Sequence, residues 1–274
     1  MNLRTETVAP VELLHAARQA LSASGGRVTF FLHKNQQYVA KASGPERGLA
    51  QALLLKLFCH LALGCAIPLA SLRLNDGRGR LVYEAARLQA LAATGEAVPE
   101  VVALNTDCMV LRHVGNTLEQ SLASLSPEKF AAALDAAIDD LVRFHLSGYW
   151  HGGSQVKNMT LLDGRLYRID FEEDIGEYLP LPVLQAYDLI LLVNSATLLW
   201  GMNEDASRAA AAQMFLRYFR LHPNAGAIRA TLMQARPWLA VLTKLLAPLR
   251  QRRGRSLRRI FVLKAAMDQA VGDR

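Results

Sequence analysis

The spacing of apolar positions changes character near Gly115. Before it, short runs alternating with a period of two are mixed with helical stretches. After it, apolar residues recur every three to four positions over long segments. Residues 11–21 carry an amphipathic helical pattern, opened by Pro10 and closed by Gly25-Gly26. Residues 28–32 (VTFFL) and 37–41 (QYVAK), parted by Asn35-Gln36, predict a β-hairpin. Beyond the break at Gly44-Pro45, residues 49–63 are apolar almost all round, interrupted by Lys56 and His60 and ended by Gly64 and Pro68. Residues 81–93 predict a helix that stops at Gly95, and 98–104 and 108–111 predict two more strands. Helices are then predicted over 127–146, 184–199, 207–218 and 227–246. A small hairpin, 161–162 with 166–169, turns on Asp163-Gly164. A strand-rich front and a helical back predict an α+β protein of two parts: 1–114, with a helical insertion at about 45–78, and 115–274, ending in basic helices.

Composition sharpens this outline. With 51% hydrophobic and 20% charged residues among 274, the chain has material for a large core and is not dominated by disorder. Three cysteines (Cys59, Cys65, Cys108) leave one over in any disulfide framework, which favours a reducing compartment. The N-terminal residues do not read as a secretory leader. The uncharged run 57–72 falls short of the ~18 apolar residues of a spanning helix and contains His60 and Pro68. The expectation is a cytoplasmic protein, soluble or peripheral on the inner membrane. The net charge of +7 is unevenly spread: residues 206–267 hold thirteen Lys and Arg and no acid, so the remaining residues together carry −6. Such a block calls for an anionic partner, with Arg250, Arg252, Arg253, Arg255, Arg258 and Arg259 suited to an anionic membrane surface. Nucleic acid fits less well, because 250–259 holds no aromatic residue on which a base would stack.

Four chemical features follow one another along the chain. Lys41 closes the strand Val39-Ala-Lys41, and Glu84 lies on a helix in Tyr83-Glu-Ala-Ala-Arg87. The loop His151-Gly-Gly-Ser-Gln-Val-Lys-Asn158 follows a long helix, and Ile169-Asp-Phe-Glu172 ends the small hairpin. This order resembles the protein-kinase-like fold, in particular its compact bacterial and archaeal branches: the Rio-type kinases, the lipopolysaccharide core kinases and the aminoglycoside phosphotransferases. The resemblance spans about residues 25–195. It implies a bilobal fold with a small strand-rich N-lobe and a larger helical C-lobe. It also implies ATP and Mg²⁺ as cofactors and a hydroxyl group as acceptor.

Each match has a physical reading. A strand-borne Lys41 supplies a fixed cation for nucleotide phosphates, and Glu84 holds its ammonium. Taken singly, the two read equally as a solvated strand end and a solvent-facing helix glutamate. Asn158 and Asp170 offer the hard oxygen donors that magnesium requires. Asp188, in Tyr187-Asp-Leu189, resembles the family's buried aspartate that fixes the loop backbone. Gly25 and Gly26, in Ser22-Ala-Ser-Gly-Gly-Arg-Val28, suggest backbone N–H groups for phosphate, although a full G-x-G-x-x-G is absent and a plain loop into a strand reads as well. The run Met109-Val-Leu-Arg-His-Val-Gly115 with Asn116-Thr-Leu118 resembles the linker between lobes. Met109 would then line the adenine pocket, and Leu111 and His113 would offer backbone groups to the base.

One position departs from the family. Where the resemblance calls for a catalytic aspartate, two residues after His151, stands Gly153. A positioned base is worth ~10²–10⁴ in rate. Glu172, Glu173 or Asp174 are the carboxylates that would substitute, and Lys157 lies where a cation would sit near the transferred phosphate. Two function classes remain: a phosphotransferase, and a nucleotide-binding pseudokinase scaffold. Zinc-type CxxC or HExxH spacings are missing, and Gly153-Ser154-Gln155 does not complete a G-x-S-x-G elbow.

Overall fold

The computed structural model describes residues 10–44, 64–67, 77–122, 125–176, 178–199, 202–249 and 254–272, together with Leu53, Lys56, Leu57, Cys59 and His60. The predicted helix 49–63 and most of the insertion at 45–78 lie outside the described residues, as do Arg250, Arg252 and Arg253.

Two small antiparallel sheets carry the chemistry of the chain, and eight helices stand among the described residues. In the first sheet, β1 (Val28–His33) and β2 (Gln36–Ala42) form the predicted hairpin. Lys34 and Asn35 take up positive φ (47° and 60°), which suits the right-handed twist of the flanking strands. The turn therefore falls one residue before Asn35-Gln36, and Gln36 already pairs with His33. Strands β3 (Val101–Leu104) and β4 (Cys108–Arg112) complete the order β1-β2-β4-β3. Alternation along the strands then divides the two faces. Tyr38, Ala40, Cys108 and Val110 pack on α1 (Pro10–Ser24) through Leu13 and Ala17. Val39, Met109 and Leu111 pack on the other side with α2 (Gly77–Ala93), through Leu81, Ala85 and Leu88.

The second sheet joins β5 (Asn116–Thr117), β6 (Met159–Leu162) and β7 (Arg165–Arg168) in that order. Asp163 and Gly164 turn the β6–β7 hairpin at φ 50° and 77°, as their sequence demands. The helix α3 (Leu118–Leu122) follows β5 directly, and α4 (Pro127–Leu146) has the predicted bounds. The helix α5 (Leu181–Ala196) is buried almost all round and forms the centre of the larger core, with Leu189, Leu192 and Val193 against Ile138, Phe215, Leu232 and Met267. Its apolar run gives no stop signal, so the chain leaves the helix three residues before the expected 199. The helix α6 (Glu204–Leu221) begins three residues earlier than expected, because the Asn203 side chain caps it by accepting the Ala206 N–H at 2.8 Å. Helices α7 (Ala225–Leu246) and α8 (Arg255–Gly272) close the core.

Several cations of the basic block are spent internally. Arg217 reaches Asp135 at 3.0 Å and Asp139 at 2.5 Å on α4, Arg236 pairs with Asp268, and Arg259 donates to the Thr197 carbonyl. The charge count along the chain therefore overstates what is offered to an external partner, since acids distant in sequence fold back onto it. Arg258 is exposed. Among the described residues no helix is long and apolar enough to cross a membrane.

Candidate functional site: a charged cleft

The cleft between the two sheets has a volume of about 510 Å³. Val28, Phe30 and Val39 form one wall and Leu111, His113 and Val114 another, while Lys41, Glu84, Asn158, Asp170 and Glu172 form the polar end. Phe30 stands edge-on to His113, ring centres 5.6 Å apart. The walls thus make an apolar slot that leads to a cluster of charge.

The charged groups arrive on three parts of the chain: Lys41 on a strand, Glu84 on a helix, and Asp170 with Glu172 on the segment after β7. Lys41 is on β2, and its period-two position turns it away from α1 toward Glu84 of α2. Its ammonium is only 7% exposed and lies 2.7 Å from Glu84 Oε2, 2.6 Å from Asp170 Oδ1 and 2.6 Å from Glu172 Oε1. These three carboxylates can bring oxygens within 4.8 Å of one another. Burial pushes the Glu84 carboxyl up, with Lys41 pulling the other way. At Asp170 burial also acts upward, but the charge and hydrogen bond of Lys41, aided by the charge of Arg27, prevail and hold the carboxyl below its ordinary value.

A second device, made of hydrogen bonds to one buried carboxylate, holds the loop that carries Asn158. Asp188, wholly buried on α5, accepts the N–H groups of His151 at 2.5 Å and Gly152 at 2.7 Å. Burial acts upward on its carboxyl, but the hydrogen bond from His145, followed by the bond from the His151 N–H, holds it below the ordinary range. His151 Nδ1 accepts the Gly153 N–H at 3.0 Å, so Nε2 carries the proton and donates to the Ile169 carbonyl at 2.9 Å. Burial drives the His151 pKa down to about 4, which agrees with a neutral ring. That ring stacks on Phe171 at 4.1 Å. Asn158 donates its amide to the Gly153 carbonyl at 2.8 Å, leaving its Oδ1 as the acceptor, and its own carbonyl takes the Ile169 N–H at 3.0 Å. The loop and the hairpin end are therefore pinned to each other next to Asp170. Asp170 itself stands at φ 69°, a left-handed conformation that aspartate tolerates better than most residues.

No family model matches the chain, and no curated protein does. The site is therefore read from its own geometry.

That geometry brings Lys41, Glu84, Asn158, Asp170 and Glu172 to one place, with Leu111 and His113 on the wall, and sets four expected residues elsewhere. Met109 pairs with Lys41 across the sheet but is fully buried under α2 with Phe144 and Phe171, behind the cleft wall. Lys157 is exposed, because the three-residue turn Val156–Asn158 buries only its flanking members. The N–H groups of Gly25 and Gly26 are spent on the Leu21 carbonyl and the Ser24 hydroxyl, so these glycines end α1 instead of forming a phosphate nest. The His113 N–H is likewise spent, on Gln37 at 3.2 Å, and that of Arg112 goes to Glu100. Glu172 is held by cations and is not free to act as a base: besides Lys41 it accepts from Arg27 and lies 3.8 Å from Arg80. Sequence reasoning missed both arginines. Arg80 had a signal, since it precedes Glu84 by one helical turn and so shares its face.

Proposed function

We propose that the cleft binds ATP with Mg²⁺ in a bilobal, protein-kinase-like fold, and that the protein transfers phosphoryl groups to a hydroxyl acceptor. Lys41 carries this reading. It is a nearly buried ammonium fastened at 2.7 Å to Glu84 and at 2.6 Å to Asp170, at the inner end of an apolar slot. A cation fixed this way meets nucleotide phosphates without paying to be ordered, and phosphoryl transfer depends chiefly on such positioning and charge. Asn158 Oδ1 and the Asp170 carboxylate are hard oxygen donors of the kind magnesium takes, and would hold the ion. Bound there, magnesium would offset charge on the phosphates. The Asp188 bonds would keep Asn158 in register with Asp170.

One observation favours a second reading, a nucleotide-binding scaffold with little or no transfer. Gly153 has no side chain where the resembled kinases carry their base, and Glu172 is ion-paired to Lys41, Arg27 and Arg80. A single assay addresses both readings. Mg–ATP at 100 times its Kd should stabilise the protein by about 2.7 kcal/mol, raising Tm, and Asp170→Ala should abolish the shift. No shift with millimolar Mg–ATP overturns both. Turnover of the γ-phosphate, lost in Asp170→Ala, selects the enzyme; binding without turnover selects the scaffold.

A further inference from the structure

Two further cations approach Glu172 at the inner end of the cleft and belong neither to the Lys41–Glu84 pair nor to the Asn158–Asp170 pair; of the two, Arg27 lines the cleft and Arg80 stands behind Glu172. Arg27 precedes β1, and Arg80 lies on α2. Both converge with Lys41 on the carboxylate of Glu172. Arg27 Nη2 donates to Oε1, Lys41 Nζ lies 2.6 Å from the same oxygen, and Arg80 Nη1 lies 3.8 Å from Oε2. The Glu172 side chain is 14% exposed and those of Lys41 and Arg80 are 7% and 14% exposed, so solvent does little to screen these three, whereas Arg27, 36% exposed, reaches in from the rim.

Three cations from three separate parts of the chain converge on this one carboxylate. They match a phosphate, which offers more acceptor oxygens and twice the charge, and which guanidinium groups grip through paired N–H donors. Arg27 has an unused donor of this kind: its Nε is buried and has no acceptor. A carboxylate with two oxygens leaves that donor over, whereas a third oxygen would take it up. The charges agree with this. Among the described side chains of the cluster, moving the Glu172 carboxylate aside exposes to a ligand the cations it now covers.

We infer that Arg27, Lys41 and Arg80 form a phosphate-binding site in which the Glu172 carboxylate is a built-in competitor, displaced when a phosphate-bearing ligand enters. The inference rests on the nucleotide reading only for which phosphate compound is taken; the cation triad itself selects any terminal or bridging phosphate.

Titration calorimetry of the full chain tests it with three probes, inorganic tripolyphosphate and adenosine without divalent cation, and ATP. Glu172→Gln keeps the shape of the side chain but removes its charge, and should bind tripolyphosphate about tenfold tighter than the wild type. Glu172→Asp, which draws the carboxylate back by one methylene, should move in the same direction and serves if the glutamine variant does not fold. Arg27→Met and Arg80→Met should each weaken tripolyphosphate about tenfold in the Glu172→Gln background. Equal affinity of the wild type and both Glu172 variants overturns the competitor. Arginine variants that leave affinity unchanged overturn the triad. If the gain in Glu172→Gln holds while ATP binds no tighter than tripolyphosphate and adenosine does not bind, the phosphate site stands and the nucleotide reading falls. If ATP and adenosine bind but Glu172→Gln gains nothing, the nucleotide reading stands and this site falls.

Discussion

The chain buries carboxylates in two ways within a few residues of each other. Around Asp188 the surroundings are dry and hydrogen bonds dominate: one carboxylate accepts two backbone N–H groups, His151 is neutral, and Tyr218 approaches His145 Nδ1 at 2.7 Å. In the cleft three carboxylates face three cations, and much of Asp170 remains open at 39% exposure. Hydrogen bonds from backbone N–H groups have fixed directions and no substitute partner, so the Asp188 assembly has one arrangement. Ion pairs made by long side chains can change partners when another ion arrives. The first region is a frame, and the second is where a ligand can be accommodated without disturbing it.

This contrast can be broken most severely at Asp188. Asp188→Ala strands two buried N–H groups and should cost about 3–5 kcal/mol in urea denaturation, enough to unfold many domains. Asp188→Asn retains one acceptor and should cost less. A loss below about 1 kcal/mol for the alanine variant would show that the loop is held by something else.

Acid should act on the buried histidines and on the two depressed aspartates in different pH windows. The His151 pKa falls from 6.5 to about 4 on folding, so the unfolded chain binds the proton first. The stability this neutral ring contributes is complete above pH 6.5 and is lost as pH falls toward 4, by about 3 kcal/mol. Burial shifts His145 in the same direction. Asp170 and Asp188, whose carboxyls are depressed, contribute stability above 3.8 that is lost only at lower pH. Denaturation at pH 7, 5.5 and 4 should show the histidine loss first, and His151→Gln should flatten it. An unchanged slope in that variant would move the proton uptake elsewhere.

The smallest expected effect lies at Gly153, which touches both regions: its N–H goes to His151 and its carbonyl receives Asn158. A Cβ there would stand 3.3 Å from Asn158 Nδ2 and 3.5 Å from His151 Nδ1, and the backbone conformation is open to any residue. On the proposed transfer reading, Gly153→Asp places a carboxylate at a tight position, and because Asn158 must yield slightly the gain in γ-phosphate transfer should be about tenfold, below the ~10²–10⁴ of a well-seated base. A drop in transfer would mean that the Asn158 geometry matters more than the base.

The parts of this arrangement that could be read from the chain are those with a period or a turn signature. Strand alternation placed Lys41, the helical pattern placed Glu84, and Asp163-Gly164 fixed the hairpin that delivers Asp170. Elements too short to show a period escaped: β5 is two residues long and is defined only by its pairing with Leu161 and Thr160. Hydrogen-bond spending was equally invisible. Nothing in the order of residues shows that the N–H groups of Gly25, Gly26 and His113 are already committed, or that α2 covers Met109. Arg27 had no local signal at all, since its meaning comes from Glu172, 145 residues away.

Gly115 sits at φ 90° in the link between β4 and β5, and a Cβ there would fall 2.1 Å from the Leu161 carbonyl oxygen. The close approach of this link to β6 thus depends on an atom that the residue lacks. Any other amino acid would act as a wedge between the link and the Leu161 backbone, at the lining of the cleft. Ordinary tuning by small changes of side-chain size is closed at this joint, so adaptation of the cleft to differently sized ligands has to come from its walls.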